Sequence, residues 1–498
     1  MKKLYYSSCS YAAPHTGVLL DYMRTDIKDG HKVVWAFCHG AQSSCFINPN
    51  ANEAKCKICH LLYKGLVSEY ADGIQVRPVT KLTDANKDEA FHYRNSSELR
   101  QIQYKGVQIG LSILSFYISS TRNMEFDIDE PKRKYFDYLL RENCSFVDNI
   151  LRLVEEVKPD CICIHNGRYY ENRALYDIAQ LKGLHFESAE VVGGFNEPYM
   201  SCKYFDTLPH SIRRFTANIH KSWNESNDTE EQKIAIGTDF YERRKNGIAA
   251  ADKVYVASQI KGQLPDGFDV SKKNYVIFNS SSDEIAAIGG EWDEGDPIFD
   301  SQYEAIRFLC QNAETNVHFT LRIHPNLKGI PYSYHTDLYK LSEEFKNITV
   351  IDPESKISSY ALLDVADKVI VFGSTMGVEA CFWQKPSILI GKAWYLGTDV
   401  CYKPQSKEEI IEMLKSDLEP KDKLDAIKYA YFLLDRKVRV KPTSNINVDV
   451  RYVKVWGKRI QVNPYMKLCG SRLFAKLIQT FYTNVLIKIY KDKNLLPR

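Results

Sequence analysis

Short runs of β-branched and aromatic residues recur along the chain. Each ends in a polar or glycine-bearing loop that leads into a helix-compatible segment. "KKLYYSS", "CSYAAPHTG", "VLLDYMRTDIKDG" and "HKVVWAFC" read as strand, loop, helix and strand. Helical spacing joins Val18, Tyr22 and Ile27, and Gly30 suits a C-cap. "LRLVEEVKPDCICIHNGR" and "ENRALYDIAQLKGLHFESAEV" repeat the unit. A second series starts near Ala251 with "KVYVAS", "NYVIFNSSSDE", "VHFTLRIHPN", "NITVID", "KVIVFGST" and "PSILIG". Strands alternating with helices of this length dictate a parallel sheet covered on both faces. A chain of 498 residues is also too long for one ordinary core. The expected fold is α/β: two doubly wound, Rossmann-like parallel-sheet domains facing each other across a cleft. The expected bounds are 1–245 and 246–440, with His220 to Gly247 as the bridge and 441–498 as a separate tail.

Composition narrows the setting. The sequence is 44% apolar, with no run of about 18 apolar residues, so no transmembrane helix is expected. The N-terminal stretch has two lysines but no apolar core, which predicts no signal peptide. Thirteen cysteines, several in strand-like runs, read as reduced thiols of a cytoplasmic protein. From Arg451 to Arg498, eleven Lys and Arg face one acid, Asp492; that tail carries +10 and the rest of the chain −7. Within it, "SRLFAKLIQTFYTNVLIKIYK" is patterned as an amphipathic helix. It fits either a peripheral anchor on an anionic membrane surface or a last helix packed back on the first domain. Nucleic acid is not an expected partner, because the body is acidic and the tail has no reader motif.

In open α/β sheets, ligands bind beyond the carboxyl ends of the strands. Two such ends carry chemistry in the second half. "LRIHPN" supplies Arg322 and His324, and "VFGSTMGVEA" supplies Gly373, Ser374 and Thr375, with Glu379 one turn on. Hydroxyls and free backbone N–H groups at a helix start suit a phosphate, and Glu379 suits a ribose diol. Gly-Ser-Thr alone is often only a helix cap, but the pairing with His-Pro some fifty residues earlier favours the phosphate reading. "NSSSDE", including Ser281, follows another strand; it is either a further phosphate contact or a capping turn.

"RIHPN", "SSYALLDVADKVIVFGSTMGVEACFWQKPSILIG" and "HNGRYYENRALYDIAQLKG" resemble the bacterial capsule and O-antigen polysaccharide biosynthesis glycosyltransferases. Related His-Pro and Ser-Thr pairs occur in polysialyltransferases and Kdo transferases. The resemblance implies a GT-B fold over residues 1 to about 440 and transfer of sugar from a nucleotide-sugar donor to a surface polysaccharide or lipid-linked glycan. It implies that His324, Ser374 and Thr375 hold donor phosphate and Glu379 the ribose, with no metal or cofactor required for catalysis. A sugar-nucleotide epimerase and a non-catalytic assembly protein of the same fold are the alternatives.

A base is expected from the first domain, within hydrogen-bond reach of the acceptor hydroxyl. His15 and Glu190, both at strand-to-helix ends, are equal candidates, while Asn166 and Arg168 suit an acceptor or anionic group. Cys38, Cys45, Cys56 and Cys59 form either a structural zinc site or a set of free thiols.

Overall fold

The computed structural model describes residues 1–10, 15–81, 90–192, 200–248, 250, 255–256, 258–434, 439–440, 452–455, 458–461, 477 and 480. Two sheets organise them. The first contains β1 (Lys2–Ser7), β2 (Lys32–Cys38), β3 (Gln75–Val79), β4 (Cys161–His165), β5 (His185–Val192) and β6 (Met200–Phe205). The second contains β7 (Lys273–Phe278), β8 (Val317–Arg322), β9 (Ile348–Ile351), β10 (Lys368–Val371) and β11 (Ser387–Leu389). A late strand, β12 (Arg439–Val440), joins the first sheet, whose order is β12-β6-β5-β4-β1-β2-β3; the second runs β11-β10-β7-β8-β9.

Both orders reverse direction once, between β1 and β4 and between β7 and β10. This is the doubly wound topology, which opens a crevice at each reversal. The second sheet is wholly parallel. The first is parallel from β3 to β5, but β6 and β12 are antiparallel additions at its edge. Strand β3 reads "QVRPV" and carries Pro78, which an edge strand tolerates because one side needs no ladder donor.

Burial explains why these runs form strands. Val369, Ile370 and Val371 of β10 are each fully buried, because helices cover both faces of a parallel sheet. Removing each such side chain from water contributes about 1.5–3 kcal/mol. Around β1 the flanking helix His15–Lys28 buries Val18 and Tyr22, as its spacing predicts, and Gly30 terminates it at φ 80°.

The structure moves the domain boundary. Phe215, Ile219, Phe240 and Tyr241 pack in one cluster with Val276, Val369 and Ile427, so the helices Ile212–Glu225 and Glu230–Lys245 belong to the second domain. The crossover therefore falls between Phe205 and Ile212, not near residue 245. The chain then returns, since β12 pairs with β6 in the first sheet. The run "KVYVAS" also departs from expectation, because its described residues 255, 256 and 258 form no strand. The second sheet is complete with five strands, and Tyr255 packs its ring 5.4 Å from that of His324 instead.

Among the described residues, no helix is long and apolar enough to cross a membrane. The expected amphipathic helix of the tail lies outside the described residues, Leu477 and Thr480 excepted. Cys38, Cys45, Cys56 and Cys59 are free thiols, and burial raises the pKa of each. They do not gather to ligating distance among the described residues. Cys59 instead accepts from Ser10, and Cys56 accepts from Asn48 at 3.2 Å.

Candidate functional site

The β7/β10 crevice is built from three loops tied to one another. Ser280 after β7 donates its hydroxyl to the Phe372 carbonyl after β10 at 2.7 Å. The His324 backbone N–H after β8 donates to Asn279 Oδ1 at 2.7 Å, and Asn326 Nδ2 donates to Glu284 at 2.7 Å. Gly373 sits at φ 123°, and a Cβ there would lie 2.8 Å from the Lys392 carbonyl, so only glycine fits this turn. Ser374 Oγ accepts from the Met376 N–H at 3.3 Å. Thr375 is the N-cap residue of Met376–Phe382 but makes no capping bond with its side chain, so its hydroxyl remains available.

His324 has a defined tautomer. The Asn326 N–H donates to its Nδ1 at 3.2 Å, so the ring proton sits on Nε2. Burial, with the Arg122 charge assisting, lowers its pKa to about 4, so it is a neutral donor at pH 7.

Three residues expected at the donor are committed elsewhere. Glu379 is 2% exposed, and its carboxylate accepts from Arg244 at 3.2 Å and from the Tyr360 hydroxyl. It is the centre of a buried ion pair and does not open toward a ribose. Arg322 is equally buried; it donates to the carbonyls of Asp352 and, at 2.9 Å, Ser355, which anchors the loop after β9. Ser281 is 3% exposed, bonded to Arg122 at 2.7 Å and to Asp283 at 2.8 Å.

The β1/β4 crevice faces this one from the first domain. Asn166 (φ 61°) and Gly167 (φ 87°) make a tight left-handed turn at the end of β4, and a Cβ on Gly167 would lie 2.3 Å from Leu208. The turn sets His165 and Arg168 on either side. His15, at the start of its helix, stacks on His165 with centroids 3.8 Å apart and planes 16° apart. His165 Nε2 in turn lies 3.7 Å from Glu190, which accepts from Asn166 Nδ2 at 2.5 Å. The two candidate bases therefore converge on one imidazole. Burial lowers the His15 pKa to about 4, so the ring is neutral at pH 7 and a weaker base than an ordinary histidine.

Sequence reasoning missed His165 and Glu171, which line a recess together with His15. Both sat within segments read as strand and helix, and only the Asn-Gly turn between them hinted at a site. It also missed Arg122 and Asp283, the link between the crevices. Arg122, the C-cap of Ile109–Thr121, forms an ion pair with Asp283, and Arg168 Nη2 reaches the Asp283 carbonyl at 3.5 Å. Arg168 also donates from Nε to Ser115 at 2.8 Å, so it serves the domain junction more than an open surface. Leu111, Leu114 and Ile118 pack on Ala287 beside this link, and Trp292 Nε1 donates to the His210 carbonyl at 2.7 Å.

Residues 287–426 match the family model described as capsule polysaccharide biosynthesis protein. The match covers His324 and Gly373 to Glu379, within two of the stretches that carried the resemblance in the sequence; the third, from His165 to Gly183, lies outside it. No curated protein matches the chain. Among solved structures, the chain is similar to the KpsC beta Kdo 2,4 transferase of Thermosulfurimonas dismutans at 13% identity and TM-score 0.36, over 55% of this chain and 79% of that one. The KpsC beta Kdo 2,7 transferase of the same organism aligns at 14% and 0.34, over 65% and 88%. A UDP-GlcNAc 2-epimerase from Neisseria meningitidis aligns at 11% and 0.26, over 86% and 98%. Likenesses this remote carry no argument about activity.

Proposed function

We propose that this chain is a glycosyltransferase of surface polysaccharide assembly, with the donor's nucleotide at the β7/β10 crevice and the acceptor at the β1/β4 crevice. The observation that carries this reading is the pairing of two facing crevices of opposite chemistry: hydroxyls and a neutral imidazole donor on one side, proton-accepting groups on the other. The family match over the second domain supports it.

In this reading the acceptor hydroxyl gives its proton to His15 as its oxygen bonds to the anomeric carbon. The bond from that carbon to the donor's phosphate breaks, and its electron pair stays on the phosphate oxygen. That charge meets His324 Nε2–H and the hydroxyls of Ser374 and Thr375, preorganised donors that need no metal. The donor is a nucleotide-sugar and the acceptor a growing glycan.

Thermal shifts with CMP, UDP, GDP and CDP test the seat, on wild type and on Thr375→Val. A nucleotide at a hundredfold its Kd should add about 2.7 kcal/mol of stability, and less in the variant. Transfer of radiolabelled sugar to glycan should then persist in EDTA. Sugar-nucleotide isomer appearing without acceptor would favour an epimerase instead, and no shift with any nucleotide would remove the donor seat.

A further inference from the structure

Among the described residues, four buried polar atoms without a hydrogen-bond partner belong to residues lining the recess beside His15. They are the Tyr6 hydroxyl, His165 Nε2, Glu171 Oε2 and Asn172 Oδ1. Their residues are 0%, 9%, 1% and 6% exposed, so solvent at the surface does not serve them. Buried polar groups in folded proteins are almost always paired, and each unpaired one costs stability. Four around one recess mark a place that a polar ligand completes.

The fixed partners of these side chains define what they offer. Asn172 Nδ2 donates to the His165 carbonyl at 2.8 Å, which leaves Oδ1 as an acceptor toward the recess. The Glu171 carboxylate accepts from the Phe46 N–H at Oε1 (3.2 Å) and is also favoured by the Ser8 hydroxyl, while Oε2 has no hydrogen-bond partner among the described residues. Tyr6 can donate or accept, as can a neutral His165. An anion fits poorly, since Glu171 and Asn172 would turn lone pairs toward it. A metal ion fits poorly too, because these groups do not converge to ligating distance. A hydroxyl both donates and accepts, and a set of them answers this mixed array. The recess is narrow, so it admits the edge of a ring and not the whole ring. Tyr169 and Phe46, stacked at 4.4 Å, lie beside it as an apolar rim.

We propose that this recess takes the hydroxyl-bearing edge of a neutral sugar ring, recognised by Tyr6, His165, Glu171 and Asn172. The inference rests on the glycosyltransferase reading for its role: the ring is the acceptor's terminal residue, held with a hydroxyl against His15. Burial pushes the Glu171 carboxyl up to about 7, so near neutrality it is partly protonated and donates as well as accepts.

Saturation-transfer NMR on the full chain tests it, with methyl β-D-galactopyranoside, methyl α-D-glucopyranoside and methyl α-D-mannopyranoside as probes. Methyl β-D-glucuronide is the charged comparator. At least one neutral glycoside should bind and outcompete the glucuronide, and Tyr6→Phe and Glu171→Gln should each weaken it roughly threefold to tenfold. Probes lacking single hydroxyls, the methyl 3-deoxy and 4-deoxy glycosides, test the same contacts on the unaltered protein and should lose binding similarly. Three results would overturn the proposal: stronger binding of the glucuronide, neutral binding unmoved by both variants and deoxy probes, or no glycoside bound, the recess then holding buried water only. The nucleotide shift, abolished or not by Thr375→Val, judges the donor seat separately, so failure here leaves that reading standing.

Discussion

The two switch points share a topology and differ in how their polar groups are satisfied. At β7/β10 the loops bond to each other: Ser280 to Phe372, His324 to Asn279, Asn326 to Glu284. At β1/β4 four buried polar atoms of residues lining a recess have no hydrogen-bond partner among the described residues. The first arrangement makes a rigid frame that presents a few donors. The second retains unmet hydrogen-bonding capacity, which costs stability in the free protein and which the proposed ligand would satisfy. In the proposed function, one fold would thus serve as a charge-stabilising platform on one side and a proton-accepting pocket on the other.

The sharpest way to break this division is at His15. His15→Gln keeps the size of the group but removes the base, and transfer should fall by about 10²- to 10⁴-fold. Nucleotide binding, which the proposed function assigns to the other crevice, should be unchanged by thermal shift. Because the His15 pKa is lowered to about 4, the acid limb of the wild-type rate profile should lie near pH 4, well below an ordinary histidine. A His15→Gln enzyme as active as wild type would move the base to Glu190, whereas a limb at about 6 to 7 would mean that the base is a histidine not desolvated as His15 is.

Glu379 tests the comparison from the opposite side. If its carboxylate belongs to Arg244 and Tyr360, Glu379→Ala removes the carboxylate facing the buried Arg244 guanidinium and should cost about 3–5 kcal/mol in urea unfolding. Nucleotide affinity per folded molecule should stay the same. A stable variant with lost affinity would return Glu379 to the ribose. Arg122→Ala probes the junction similarly, because Asp283 is 2% exposed and would lose its ion pair. Its signature should be weaker coupling between nucleotide binding and transfer, read as lower kcat at saturating donor.

What the sequence showed and hid follows from range. The β10 run was legible because both faces of that strand are buried, so its three apolar residues, Val369 to Val371, stand together. His324 and Thr375 were legible because strand ends and caps are local features. Glu379 was not: its partner Arg244 lies 135 residues away, and a single sequence carries no trace of that pairing. Glu171 was hidden for a related reason. In sequence it is an ordinary first-turn acid of a helix, and only folding buries it beside His15. The cysteine spacing left a zinc site and free thiols open, and among the described residues the four thiols do not gather to ligating distance.

Acid should expose the same asymmetry. His15, His60 and His324 are held neutral with pKa values near 4, and His210 near 3. Unfolding restores ordinary histidines, so between about pH 6.5 and 4 the unfolded chain binds more protons and stability falls as pH falls. Glu171 and Asp21, both raised to about 7, act in the opposite sense, since their folded forms keep protons that the unfolded chain has released. The histidines outnumber them, so the net loss on acidification should survive. Urea midpoints from pH 7 to 4.5 check the sign, and Glu171→Gln should steepen the slope.

The smallest expected effect sharpens the platform side. Thr375 makes no capping bond, so Thr375→Val should leave stability within about 0.5 kcal/mol, as a substitution that breaks no contact does. If the hydroxyl meets donor phosphate, nucleotide affinity should drop roughly fivefold to tenfold, the worth of one hydrogen bond to a charged group. Ser374→Ala should differ, because Ser374 already accepts from Met376 and its loss weakens the helix start as well as the seat. The helix Met376–Phe382 spans only seven residues, so its dipole is short and the two hydroxyls must account for most of the contrast. If Thr375→Val leaves nucleotide affinity intact, backbone N–H groups alone hold the phosphate, and the platform differs from the pocket in geometry more than in side-chain chemistry.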